Sequence, residues 1–299
     1  MATIKKQDIR DFVVEALGVF SLCYFGGLSC ISLPYTLPIF GTDKDIGIPV
    51  TLPIAVAHGI ILGMLIIVGG GVKGPQYNPA VTIALYYTQR IPKSEMVWCL
   101  FGQASGSTLA GLLLMFFQVK GKPRTRKKRR KTKFSNSWLG ETIDNDDGYY
   151  ADRAEMNLGE PNLKYFDDNK VGLLTAFLYE FMATGFLVLI VWSLGVHQKL
   201  PVTIVGTCVG IYLTCGILCI GKWTGGALNP TRVFGPALVS GKLFESGWWV
   251  YYLGPILGGL TAAVGWDWLV EKSEEELKEE TYKLQPHDSK NQDKEYELK

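Results

Sequence analysis

Charge is the first thing this sequence lacks over most of its length: of 299 residues only 19% are charged and 47% are hydrophobic. That balance argues against a soluble enzyme, whose surface needs charge throughout, and for a polytopic membrane protein. Paired cysteine spacing is lacking too. Cys23, Cys30, Cys99, Cys208, Cys215 and Cys219 all fall in apolar segments, so no disulfide framework or metal site is expected, and they read as small buried hydrophobes. A cleavage site is the third absence. Residues 1–11 are polar and mixed in charge, and no small-residue cleavage pattern follows the first apolar run. Phe12 onward therefore reads as a retained anchor and not a signal peptide.

Long apolar runs are what the sequence does have. Six are long enough to cross a hydrocarbon core at roughly 20 residues each: 12–33, 52–69, 96–119, 171–196, 200–220 and 248–270. Between them lie two shorter apolar segments, 77–87 and 228–239, each behind a glycine-rich approach and each opening on Asn-Pro. Asn78-Pro79-Ala80 and Asn229-Pro230-Thr231 read as helix starts, with Asn as N-cap and Pro at the first helical position. A helix start exposes free N–H groups and a positive dipole end, which hydrocarbon tolerates only beside a protein-lined or water-filled cavity. The two segments are too short to span and are expected to be re-entrant half-helices that meet tip to tip and define a pore.

Three spans with one half-helix, repeated, make an inverted repeat. Glu15 corresponds to Glu180 and Asn78 to Asn229. The expected fold is an all-α membrane protein with six transmembrane helices and two half-helices. Its parts are a cytoplasmic N-terminal segment 1–11, a first repeat 12–119, a charged loop 120–170, a second repeat 171–270 and an acidic tail 271–299. Glycines four apart (Gly102 and Gly106, Gly206 and Gly210, Gly254 and Gly258) have the spacing that lets membrane helices approach closely.

Asn78-Pro79-Ala80-Val81-Thr82, Asn229-Pro230-Thr231-Arg232, Glu15, Gln103 and Glu180 together resemble the aquaporin, or major intrinsic protein, family, over about 9–270 apart from the central loop. The resemblance implies a homotetramer with one pore per subunit, multi-pass in a plasma or vacuolar membrane with cytoplasmic termini. Such a channel passes water or small uncharged solutes without protons and needs no cofactor or nucleic acid. The positions that match the family's outer constriction are His58, Ile217, Gly226 and Arg232. This quartet resembles that of plant vacuolar-membrane aquaporins whose relatives pass ammonia as well as water. A glycerol or small-polyol facilitator is the alternative of the same fold, but its signature has Asp directly after the filter arginine, where this chain has Val233. Gln76, Pro75 and Thr231 depart from the His, Ala and Ala common in the family, which leaves the inner width of the pore open.

The residues support this reading on their own terms. Asn78 and Asn229 can each aim an amide N–H at a passing oxygen, so a central water donates outward in both directions and cannot continue a proton wire. The two helix dipoles add a barrier to cations. Arg232, about 4.5 Å beyond Asn229 at helical rise, is an expensive residue at this depth and reads as a constriction donor. Glu15 and Glu180, with Gln103, read as braces for the re-entrant loops. The rival reading makes the two carboxylates proton-coupling groups of a transporter, and the repeat's symmetry favours braces. A further rival is a low-conductance junctional protein of the same fold that uses the charged loop for adhesion. In that loop ten bases between Lys120 and Lys133 precede nine acids between Glu141 and Asp168. The positive-inside rule would put it in the cytoplasm, and the repeat puts it outside. We follow the repeat.

Overall fold

The structure, a computed structural model, describes residues 4–36, 51–119, 158, 161, 172–245 and 247–284, with side chains through 31, 117 and 271 at the three helix ends that border undescribed segments. The basic run 124–131 and the residues beyond 284 lie outside the described residues. Eight helices are described, in chain order: α1 (Lys6–Thr36), α2 (Thr51–Gly70), α3 (Pro79–Tyr87), α4 (Lys93–Val119), α5 (Leu173–Ile190), α6 (Val202–Thr224), α7 (Pro230–Ser240) and α8 (Val250–Leu284). The last turns of α5 continue as a π-helix over Val191–His197. Six of these helices are long and apolar enough to cross a membrane. The two that are not, α3 and α7, are the half-helices expected at the Asn-Pro stretches.

Helix ends depart from the apolar runs in an instructive way. α1 begins at Lys6, α4 at Lys93, and α8 continues through Leu284, past the change of composition at 270. Lys, Glu and Gln are good helix formers, so a helix nucleated in the bilayer propagates into polar sequence. The half-helices start two residues later than their apolar segments, at Pro79 and Pro230. Tyr77 and Leu228 are in the left-handed region, with φ of 53° and 50°, and Asn78 and Asn229 are extended, so the helix begins only after them.

Close approach of helices follows the small residues. A Cβ on Gly106 would lie 2.9 Å from the Ala16 carbonyl carbon, joining α4 to α1, and one on Gly258 would lie 2.8 Å from that of Phe181, joining α8 to α5. These are equivalent pairs in the two repeats. α2 and α6 pack on each other through Gly63 and Gly206, completing the pseudo-twofold arrangement. Leu158, inside the charged loop, is wholly buried against Leu114, so part of that loop returns to the body of the protein. At the opposite end Asp267 of α8 accepts from Arg90 at 2.7 Å and from Trp192 at 3.1 Å, which ties the turn after α3 to α5 and α8.

Candidate functional site

The two half-helix starts are built by the same set of contacts. Asn78 caps α3 by accepting from the Ala80 N–H at 3.0 Å, and Asn229 caps α7 by accepting from the Thr231 N–H at 3.0 Å and the Thr231 hydroxyl at 2.7 Å. Each Asn then donates across the junction. Asn78 Nδ2 reaches the Leu228 carbonyl at 2.8 Å, and Asn229 Nδ2 reaches the Tyr77 carbonyl at 2.7 Å. Those acceptors belong to the two left-handed residues, whose unusual φ turns each carbonyl to face the opposite half.

Backbone strain of that kind costs about 1–3 kcal/mol per residue and persists only where the surroundings enforce it. Glu15 and Glu180 enforce it. Glu15 accepts from the Gln76 N–H at 2.8 Å and the Tyr77 N–H at 2.6 Å; Glu180 accepts from the Ala227 N–H at 3.0 Å and the Leu228 N–H at 2.9 Å. Gln103 adds a donor to Glu15 at 2.8 Å and another to the Thr82 hydroxyl at 2.9 Å, while the Thr224 hydroxyl donates to Glu180 at 2.5 Å. Both carboxylates are wholly buried, and all four of their oxygens hold donors.

A cavity of about 50 Å³ runs past the junction, room for a few water molecules at about 10–15 Å³ each. Its walls are largely apolar, with Leu22, Leu62, Ile66, Leu187, Val205 and Leu213 among them, and its polar side chains are Gln76, Asn78, Asn229 and Arg232. Glu15 and Glu180 are not among the lining residues. An Asn amide has two N–H groups. With one spent across the junction, each keeps a second for the cavity. Arg232 is 6% exposed, and its Nε and Nη1 have no hydrogen-bond partner among the described residues. A permeant in the cavity can satisfy these donors.

The remaining candidates lie outside the cavity lining. His58 is buried, holds the Ile54 carbonyl through Nδ1 at 2.9 Å, and lies within electrostatic reach of Arg232. Its ring occupies the space that the missing side chain of Gly26 leaves. Ile217 packs on Gly226, whose φ of 61° suits glycine and whose Cβ, if it had one, would lie 3.1 Å from the Ile217 Cα. Pro79, Ala80, Pro230 and Thr231 are buried at the helix starts. Ser107 donates to the Thr231 carbonyl and accepts from the Gly235 N–H at 2.9 Å, fixing α7 against α4.

Lys73 is the functional neighbour that sequence reasoning passes over. Its side chain is 4% exposed, and its Nζ lies 3.5 Å from Glu15, 3.7 Å from Asp11, 3.9 Å from Glu95 and 2.9 Å from Cys99 Sγ. The available signal is a lone cation between the glycines that end α2 and Pro75, in otherwise apolar surroundings. The second repeat has a different device: Thr224 braces Glu180, and the Tyr251 hydroxyl donates to the Thr224 carbonyl at 2.7 Å.

Buried dipoles, two facing helix starts and an apolar conduit with few polar side chains define a membrane channel. The sequence profile described as "Major intrinsic protein" matches residues 2–266, and the chain belongs to that family of passive channels, which are not enzymes. Nodulin-26 of Glycine max is 26% identical over 270 residues, covering 87% of this chain and 80% of the relative. Aquaporin TIP4-4 of Zea mays is 29% identical over 262 residues, covering 87% and 86%. Among solved structures, the aquaglyceroporin from Plasmodium falciparum has the same fold, with a TM-score of 0.64 at 20% identity, covering 87% of this chain and 96% of that one.

Proposed function

We propose that the chain is a passive, bidirectional water channel that also passes ammonia or another small neutral solute and excludes protons and ions. The observation that carries this is the cavity itself: Asn78 and Asn229 line it with a second amide N–H each beyond the one spent across the junction, and Arg232 lines it with Nε and Nη1 unpartnered among the described residues, between largely apolar walls. A water held by both Asn amides accepts from each and donates outward on both sides, which interrupts a proton wire. The dipoles of α3 and α7 repel cations at the junction, and the Arg232 guanidinium repels them beyond it.

His58, Ile217, Gly226 and Arg232 form the outer constriction in this reading. Ile217 and Gly226 leave it wider and with fewer donors than an arginine crowded by aromatic groups, which suits ammonia beside water. Six spans put both termini on one face, here assigned to the cytoplasm of a plasma or vacuolar membrane, and the channel assembles as a homotetramer. The transporter alternative is weakened because neither Glu15 nor Glu180 touches the cavity or has a free oxygen.

Arg232→Ala in proteoliposomes tests the assignment. Osmotic water flux is expected to stay within about twofold of wild type while urea-sized solutes and cations begin to pass. A variant whose solute exclusion matches wild type removes Arg232 from the constriction.

A further inference from the structure

Apart from the Asn pair, the polar side chains of the cavity break the repeat's symmetry. Adding the 151-residue offset between Asn78 and Asn229 pairs Gln76 with Ala227 and Val81 with Arg232, and all four line the cavity. Each half thus has one polar side chain where the other has an apolar one. Arg232 and the two Asn amides supply donors. Gln76 is 6% exposed, and its Oε1 has no hydrogen-bond partner among the described residues.

What fixes the sense of that amide is also visible. Gln76 Nε2 donates to Glu95 Oε1 at 3.5 Å, and Glu95 is in turn held by Lys73 at 3.9 Å. A carboxylate takes only the NH₂ end of an amide, so the carbonyl end is left for the cavity. The backbone is fixed separately, by the Gln76 N–H on Glu15. The side chain is therefore a preset acceptor in a conduit whose other polar side chains face it with donors, and an unpaired buried acceptor is costly until something donates to it.

We propose that Gln76 is a permeant-binding station that selects for hydrogen-bond donors, so that the conduit favours solutes able both to accept and to donate, such as water, ammonia and small hydroxylated molecules, over neutral solutes that only accept. The Lys73–Glu95 pair acts through Gln76 as its positioning device. The inference rests on the channel reading given above and adds to it a second point of selection, on the side of the molecule where α1 begins.

The test uses the full chain in proteoliposomes, with assembled channels counted per vesicle. Gln76→Met keeps the length and removes the acceptor; water and ammonia permeability per channel are expected to fall about three- to tenfold, the usual worth of one hydrogen bond. Glu95→Gln keeps Gln76 but lets its amide turn over, and is expected to lower water flux about twofold. Wild-type flux in Gln76→Met overturns the station while leaving the channel reading intact, whereas a wild type that shrinks at the bare-lipid rate overturns both. Should Gln76→Met fail to assemble, Glu95→Gln decides: a partial loss supports the station, and an unchanged flux overturns it.

Discussion

Removing the Glu180 carboxylate should collapse the second re-entrant loop, and the size of the effect follows from its contacts. In Glu180→Ala the buried N–H groups of Ala227 and Leu228 and the Thr224 hydroxyl lose their acceptor. An orphaned buried donor costs about 1–3 kcal/mol, so the two N–H groups alone account for about 2–6 kcal/mol. The φ of 50° at Leu228 then has nothing to enforce it, and relaxation turns its carbonyl away from Asn78, to which it is bonded at 2.8 Å. At about 2–4 °C per kcal/mol for a chain of this size, the thermal midpoint in detergent should fall by at least ~4 °C. Water permeability should fall with it, because Asn78 loses its partner across the junction. Glu180→Gln retains one acceptor oxygen and should lie between the two. A Glu180→Ala protein with wild-type midpoint and wild-type flux would refute the argument that this carboxylate holds the loop in shape.

Two further outcomes follow. Lys73 lies outside the membrane-spanning segments; burial works against its charge, yet the Glu15 carboxylate, Cys99 and Asp11 outweigh burial and raise its pKa above the ordinary 10.5. A raised folded value means that its stabilisation is complete below the ordinary lysine pKa and is lost as pH rises through the folded one. Lys73→Met should therefore lower the thermal midpoint at pH 8, by an amount set by about 3–5 kcal/mol for breaking a buried ion cluster, with the gap closing on the alkaline side only in strong alkali; a gap that already closes between pH 8 and 9 contradicts this. His58→Phe removes the bond to the Ile54 carbonyl and places a larger ring beside Gly26 and Arg232, so ammonia flux should drop more than water flux, and an unchanged ratio of the two would take His58 out of the constriction.

The fold was legible because hydrophobic length and the Asn-Pro starts are local signals. Residues 78–80 and 229–231 declare a helix start by capping chemistry alone, and their place in short segments of apolar sequence declares the half-helices. Glu15 and Glu180 were legible as braces because a carboxylate in an apolar run demands donors, and the repeat supplied two matching loops. Other parts were not. Nothing local announces that Tyr77 and Leu228 are left-handed, since neither is a glycine and the strain is imposed by carboxylates 62 and 48 residues away. Lys73 reads as a loop residue until folding brings Asp11, Glu15 and Glu95 around it. The orientation of the Gln76 amide likewise depends on Glu95, which sits at the start of α4. The burial of Leu158 in the middle of a charged insertion has no periodicity to reveal it.

One stopped-flow measurement on wild-type proteoliposomes decides whether the chain is a water and ammonia channel: shrinkage under an osmotic gradient, with internal pH recorded after an ammonium salt is added outside. Shrinkage and alkalinisation are both expected well above the bare-lipid rates, with no proton leak. Shrinkage at the bare-lipid rate would contradict the channel, and fast shrinkage with lipid-rate alkalinisation would contradict the wide constriction assigned to Ile217 and Gly226.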